Sequence, residues 1–147
     1  MSDAPIVVGT DGSPSANRAV LKAGELAGVL GAPVHVVMSC ESIASVALAA
    51  AGAAYGTVVS DDGTAREAAT AIVDRARADL KQSEVKAEVH VCEGDPAEAL
   101  LSVADGVAAQ MIVVGNRGMS GARRVLGSVP NRVSHRASCA VLIVPTA

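Results

Sequence analysis

The stretch Met111–Pro130, MIVVGNRGMSGARRVLGSVP, starts as an apolar strand and then breaks into glycines and arginines. It holds Gly115, Gly118, Gly121 and Gly127 together with Arg117, Arg123 and Arg124, and closes on Gly127-Ser128-Val129-Pro130. Gly115 and Gly118 let the backbone turn sharply and present N–H groups with no Cβ in the way. Gly127-Ser128 reads as a helix start with Pro130 just inside it. Such a start carries free N–H groups and a partial positive charge, which suits a phosphate. A glycine-rich turn ending in an N-cap would account for Ser128 and for Gly115, but not for Gly118 and Gly127 together. The stretch is therefore read as a place where an anionic ligand meets backbone.

The rest of the chain supplies a frame for it. Ile6-Val7-Val8 is a short apolar run closed by GTDGSPS, in which Ser13 reads as an N-cap and Pro14 as the first helical residue. Ala16, Ala19, Val20, Ala23, Ala27 and Leu30 then repeat at helical spacing, and Gly31-Ala32-Pro33 ends the helix. Val34–Ser39 is a second strand. From Asp61 the stripe Ala65, Ala68, Ala69, Ile72, Ala76 and Leu80 marks a second helix, while the alanine-rich stretch 40–60 is open between a short helix at Ile43–Ala51 and a loop. KAEVHVC alternates, giving a strand with one better-covered face. Asp95, Pro96 and Glu98 form a capping-box pattern ahead of a helix that buries Leu100, Leu101 and Ala104. QMIVV and Ala140–Val144 are the last two strands. This alternation predicts an α/β fold: one doubly wound domain over residues 1–147, a five-stranded parallel sheet with helices on both faces. Ligands bind such sheets beyond the carboxyl ends of the strands, where the strand order reverses. Gly9-Thr10-Asp11, Ser39 and the glycine stretch all follow strand ends.

Composition narrows the function. The core must be Val, Ala, Leu and Ile, because the 147 residues include no Trp or Phe and one Tyr, Tyr55. No apolar run approaches the roughly 20 residues of a membrane span, and the start MSDAPIVVGT is not a signal peptide. A cytoplasmic location is the expectation, with no membrane partner. Cys40, Cys92 and Cys139 match no ligand or disulfide spacing and read as buried, reduced thiols. His35, His90 and His135 stand isolated in the sequence, so no histidine metal site is expected. The last 42 residues carry five arginines and no acidic residue, +5, whereas the first 105 carry seven basic and fifteen acidic residues, −8. That contrast fits a small anion rather than nucleic acid, although a solvated arginine face would produce it too. Neither G-x-x-x-x-G-K-[ST] nor G-x-G-x-x-G is present, which excludes a P-loop and the dinucleotide fingerprint.

The segments VVGTDGS and VVGNRG…GSVPNRVSHRASCAVLIVP resemble the universal stress protein family over the whole chain. The family pattern G-x2-G-x9-G-[ST] is matched by Gly115, Gly118, Gly127 and Ser128, with eight residues, Met119–Leu126, in place of nine. The resemblance implies a Rossmann-like, adenine-nucleotide-binding fold that holds ATP. It places phosphates on Gly118, Gly127 and Ser128, and adenine against Gly9, Thr10, Ser39 and Val114. Gly115 and Val129 complete the contact set, and Arg117, Arg123 and Arg124 are the candidate phosphate contacts. Asp11 would meet the ribose, or Mg²⁺ carried by the nucleotide; a turn residue bonding its own backbone is the other reading of Asp11. Gly121 is expected to absorb the missing residue, leaving Ala122–Leu126 in the usual place.

The leading functional reading is a stress-response protein that binds an adenine nucleotide and acts as regulator or sensor. Slow ATP hydrolysis is an alternative, with His135, Arg123 and Arg124 as the nearby groups and no orienting partner for any of them. A cyclic-AMP binder and a nucleotide-free dimerisation module are the others. A homodimer through Ala140–Val144 is expected, because that uncharged apolar run at a sheet edge would otherwise expose unpaired backbone.

Overall fold

Five short apolar runs form the strands, and the capped stretches between them form the helices. The computed structural model describes residues 3–39, 62–116 and 128–145. In chain order the elements are β1 (Ile6–Gly9), α1 (Pro14–Leu30), β2 (Val34–Ser39), α2 (Asp62–Lys81), β3 (Ala87–Cys92), α3 (Pro96–Gly106), β4 (Met111–Gly115), α4 (Val129–Arg136) and β5 (Ala140–Val144). The strands pair in parallel in the order β3-β2-β1-β4-β5. The order reverses between β1 and β4, so the expected switch point lies there. The stretch 40–61, with Cys40 and Tyr55, lies outside the described residues, as do Arg117–Gly127.

Capping explains where the helices begin. Ser13 caps α1 by accepting the Ala16 N–H, and Gly31 closes it in the left-handed conformation at φ 66°. Asp95 caps α3 by accepting the Glu98 N–H, but the Glu98 side chain pairs with Arg136 and Arg132 instead. Ser128 caps α4, with Pro130 in its first turn.

Two apolar layers hold the helices on the sheet. On one face Ala19, Val20, Ala23 and Ala27 of α1 and Ala76 and Leu80 of α2 pack on Ile6, Val8, Val34, Val36 and Val113. On the other, Leu100, Leu101 and Ala104 of α3 and Val133 of α4 pack on Val7, Val37, Ile112 and Val114. Leu30, the last residue of the α1 stripe, is exposed. The edge strand β3 also differs from its alternation pattern: Ala87 and Val91 are exposed, whereas His90 and Cys92 on the supposedly polar face are half-buried. Burial at an edge depends on which helix overhangs it, and alternation carries no such information. No helix among the described residues is long and apolar enough to cross a membrane.

Candidate functional site

Parallel register brings the strand ends to one level. Gly9 lies opposite Val37 and Val8 opposite Val113, so Asp11 follows at the height of Ser39, and Thr10 at the height of Gly115. α1 leaves this edge on one face of the sheet and α4 starts at it on the other, because each helix runs antiparallel to the strands it joins. Two helix N-termini therefore flank the gap between β1 and β4. Both direct partial positive charge toward it.

The loop after β1 is tied to itself. Thr10 is buried; its N–H donates to the Val37 carbonyl at 3.0 Å, and its Oγ1 accepts from the Gly12 N–H. Asp11 Oδ1 accepts the Ser13 N–H at 2.8 Å, so the turn reading of Asp11 is observed. Gly12 sits at φ +80°, where a side chain would be strained. A shallow hollow lined by Gly12, Asn17, Ile72 and Arg75 lies beside this turn.

Gly9 and Gly115 are glycines for reasons of packing. A Cβ on Gly115 would meet Ser15 Oγ and stand 2.8 Å from the Ser15 carbonyl oxygen and 2.9 Å from its carbon. The first turn of α1 thus lies directly on the end of β4. A Cβ on Gly9 would come within 3.0 Å of a Leu100 methyl group of α3. Sequence reasoning missed both partners, Ser15 and Leu100, since neither residue type signals a close approach.

On the far side of the gap, Ser128 Oγ accepts the Asn131 N–H at 3.4 Å, a long bond. Val129 packs on the apolar layer of that face, and Val114 and Ser39 are buried. Gly118, Gly127, Arg117, Arg123 and Arg124, together with the Gly121 turn and the segment Ala122–Leu126, lie outside the described residues.

Four expectations need correction. The arginine-rich C-terminal segment is not a uniform positive field: Arg132 binds both carboxylate oxygens of Asp95, at 2.8 and 2.7 Å, and Arg136 pairs with Glu98. The Arg132 guanidinium holds the Asp95 carboxyl below the usual carboxylate range. This pair joins the starts of α3 and α4. His135 is not near the strand ends; it is exposed in the last turn of α4, about 10 Å along the helix from Ser128. His35 and His90 are not isolated, because β2 and β3 are neighbours and the two rings meet. Cys92 and Cys139 are free thiols, only half-buried rather than fully so, and burial pushes the Cys139 thiol up.

Comparison with known proteins follows the same outline. The model of the universal stress protein family matches residues 4–145. A universal stress protein of Mycobacterium tuberculosis is 38% identical over 147 residues, covering 96% of this chain and 95% of that protein. A universal stress protein solved in complex with cAMP superposes with a TM-score of 0.72 at 34% identity, covering 98% of each chain. One from Archaeoglobus fulgidus, in complex with dAMP, gives 0.70 at 26% identity, covering 96% of this chain and 97% of that one.

Proposed function

This chain belongs to the universal stress protein family, and on that premise we propose that it binds an adenine nucleotide across the β1–β4 switch point and serves in the cytoplasm as a regulator or sensor rather than a catalyst. The observation that carries the reading is the pair of helix N-termini, Ser13-Pro14 and Ser128-Val129, set on opposite faces of the sheet around one gap. Backbone N–H groups and two aligned dipoles suit a phosphate ester there. ATP is the first candidate, with phosphates on Gly118, Gly127 and Ser128, reached by Arg117, Arg123 and Arg124. Adenine would rest against Gly9, Thr10, Ser39 and Val114, with Gly115 and Val129 completing the wall. The turn bond to Ser13 orients the Asp11 carboxylate, which could then accept from ribose hydroxyls or meet Mg²⁺ on the nucleotide.

Cyclic AMP is the second candidate. Arg132 and Arg136 are engaged by carboxylates, and the connection from Gly118 to Gly127 is one residue short, both of which suit a ligand with a single phosphate. Related proteins carry cAMP and dAMP. Isothermal titration of ATP, AMP and cyclic AMP into the wild type, Asp11→Asn and Gly127→Val tests the site. Asp11→Asn keeps the turn acceptor and should weaken binding by about tenfold, the cost of about 1.4 kcal/mol. Gly127→Val should abolish it by placing a branched side chain where phosphate must approach. Unchanged affinity in Gly127→Val would sink the proposed site.

A further inference from the structure

A second cluster lies toward the other end of the sheet, and the nucleotide reading does not use it. β2 and β3 each carry Val-His-Val, and their register sets His35 opposite Glu88 and Val37 opposite His90. Side chains alternate along a strand, so Glu88 and His90 share one face of β3. His35 reaches the same place from β2, where its Nδ1 lies 2.7 Å from His90 Nε2 and 3.7 Å from Glu88 Oε2. All three donor atoms fall within 4.8 Å of one another. The rings stack with centroids 5.0 Å apart. His35 lies four residues before Ser39, about 13 Å back along the strand from the carboxyl edge.

We propose that His35, Glu88 and His90 form a binding site for a divalent first-row transition metal, with Zn²⁺ as the type case. Imidazole and carboxylate are the donors such an ion selects, and two histidines with one glutamate form a known three-ligand set that leaves the fourth position to water. Burial differs across the cluster in the sense an ion requires: the His35 side chain is 12% exposed, the Glu88 side chain 73%. The imidazoles form the floor and the carboxylate stands at the solvent side, where an ion enters. Tetrahedral coordination at about 2.0–2.1 Å sets two ligand nitrogens about 3.3 Å apart. The rings must therefore separate by about 0.6 Å from their present contact, a rotation of side chains at a sheet edge.

Without an ion, the short contact needs one N–H between the two nitrogens, with the other ring accepting. To bind the metal, His35 must carry its proton on Nε2 and His90 on Nδ1. That is a tautomer change within two neutral rings, with no proton released. A simple N–H···N bond between two histidines explains their contact, but not the carboxylate placed to complete a triangle of donors. The role we assign to this site is binding alone. Its consequence is mechanical: an ion would staple the edge strand β3 to β2.

The test titrates ZnCl₂ into the nucleotide-free full-length protein after treatment with a chelator. The wild type should bind one Zn²⁺ per chain, with a rise in melting temperature that EDTA reverses. Glu88→Gln, at an exposed position, should weaken binding by about tenfold, and His90→Gln should remove the one-to-one site while leaving the metal-free melting temperature close to that of the wild type. Co²⁺ in the same site should show the visible bands of a tetrahedral N/O set. Absence of binding, equal binding by His90→Gln and wild type, or thiolate charge transfer from nearby Cys92 would each overturn the proposal. None of these outcomes depends on nucleotide binding.

Discussion

Gly115→Ala separates a glycine kept for packing from one kept for a ligand. The added methyl would lie 2.8 Å from the Ser15 carbonyl oxygen and 2.9 Å from its carbon, closer than real Cβ contacts come. Ser15 Oγ can rotate aside; the carbonyl belongs to the first turn of α1 and cannot. Relief requires α1 and β4 to move apart, and overpacking of this kind costs about 1–3 kcal/mol. A backbone obstacle puts this case near the top, about 3 kcal/mol. Reduced freedom of the unfolded chain returns about 0.4–1 kcal/mol. The net loss, about 2 kcal/mol, corresponds to a melting temperature lower by roughly 4–8 °C for a domain of this size. Gly9→Ala is the control, because its neighbours at 3.0 and 3.2 Å are Leu100 methyl groups that can rotate. Its change should stay below about 1 kcal/mol. Urea unfolding of both variants and the wild type, all nucleotide-free, measures the difference. If Gly115→Ala unfolds at the wild-type midpoint and only loses nucleotide affinity, the packing account is wrong and the glycine serves the ligand directly.

Arg132→Ala should lower stability by about 1 kcal/mol, a value held down by the partial exposure of both partners. Since Arg132 depresses the Asp95 pKa, its contribution is present above the unfolded carboxyl value and is lost as pH falls below about 4. The wild type and Arg132→Ala should therefore converge in acid; a gap that persists at pH 2 to 3 (about one to two units below that value) would count against the pairing. β5 is the sheet edge next to β4, and Ile143 on it is 42% exposed. Antiparallel pairing with a second copy should give a dimer in sedimentation at tens of micromolar, with Ile143→Lys shifting it to monomer; a monomeric wild type would refute the pairing.

Strands and helices were legible because each carries its own local signal. Ser13-Pro14, Asp95-Pro96 and Ser128 cap the helices they were expected to cap, since capping is settled within four residues of chain. Alternation predicted a parallel sheet with ligand loops at its strand ends; that β1 and β4 are the neighbours at the switch point is given by the strand order of the structure. Contacts across the sheet were not legible in the same way. Ser15 under Gly115 and Leu100 under Gly9 depend on how closely two elements approach, and nothing local in either sequence encodes that distance. The histidine pair is an intermediate case. Val-His-Val occurs in both β2 and β3, and strand order alone would have brought them together; spacing along the chain, 55 residues, hid a 2.7 Å contact.

The same distinction governs the charge of the candidate ligand. A net of +5 in the last 42 residues suggested five arginines available to an anion. Pairing, which depends on tertiary contacts, removes two of them: Arg132 and Arg136 face Asp95 and Glu98 of α3. Asp95 is thereby used twice, as the cap of α3 and as the partner of Arg132. The pair locks the first turn of α3 to the first turns of α4, and so fixes the direction in which the Ser128 terminus points. In the proposed site, positive charge for a phosphate would then come from oriented backbone at Ser128 and from Arg117, Arg123 and Arg124, which flank the glycines in the sequence. Arg132 contributes by holding α4 in place. It follows that Arg132→Lys, which keeps the charge but loses the two-pronged contact, should weaken nucleotide binding as the alanine variant does; full affinity in the lysine variant would mean that charge, and not the placement of α4, is what the ligand requires.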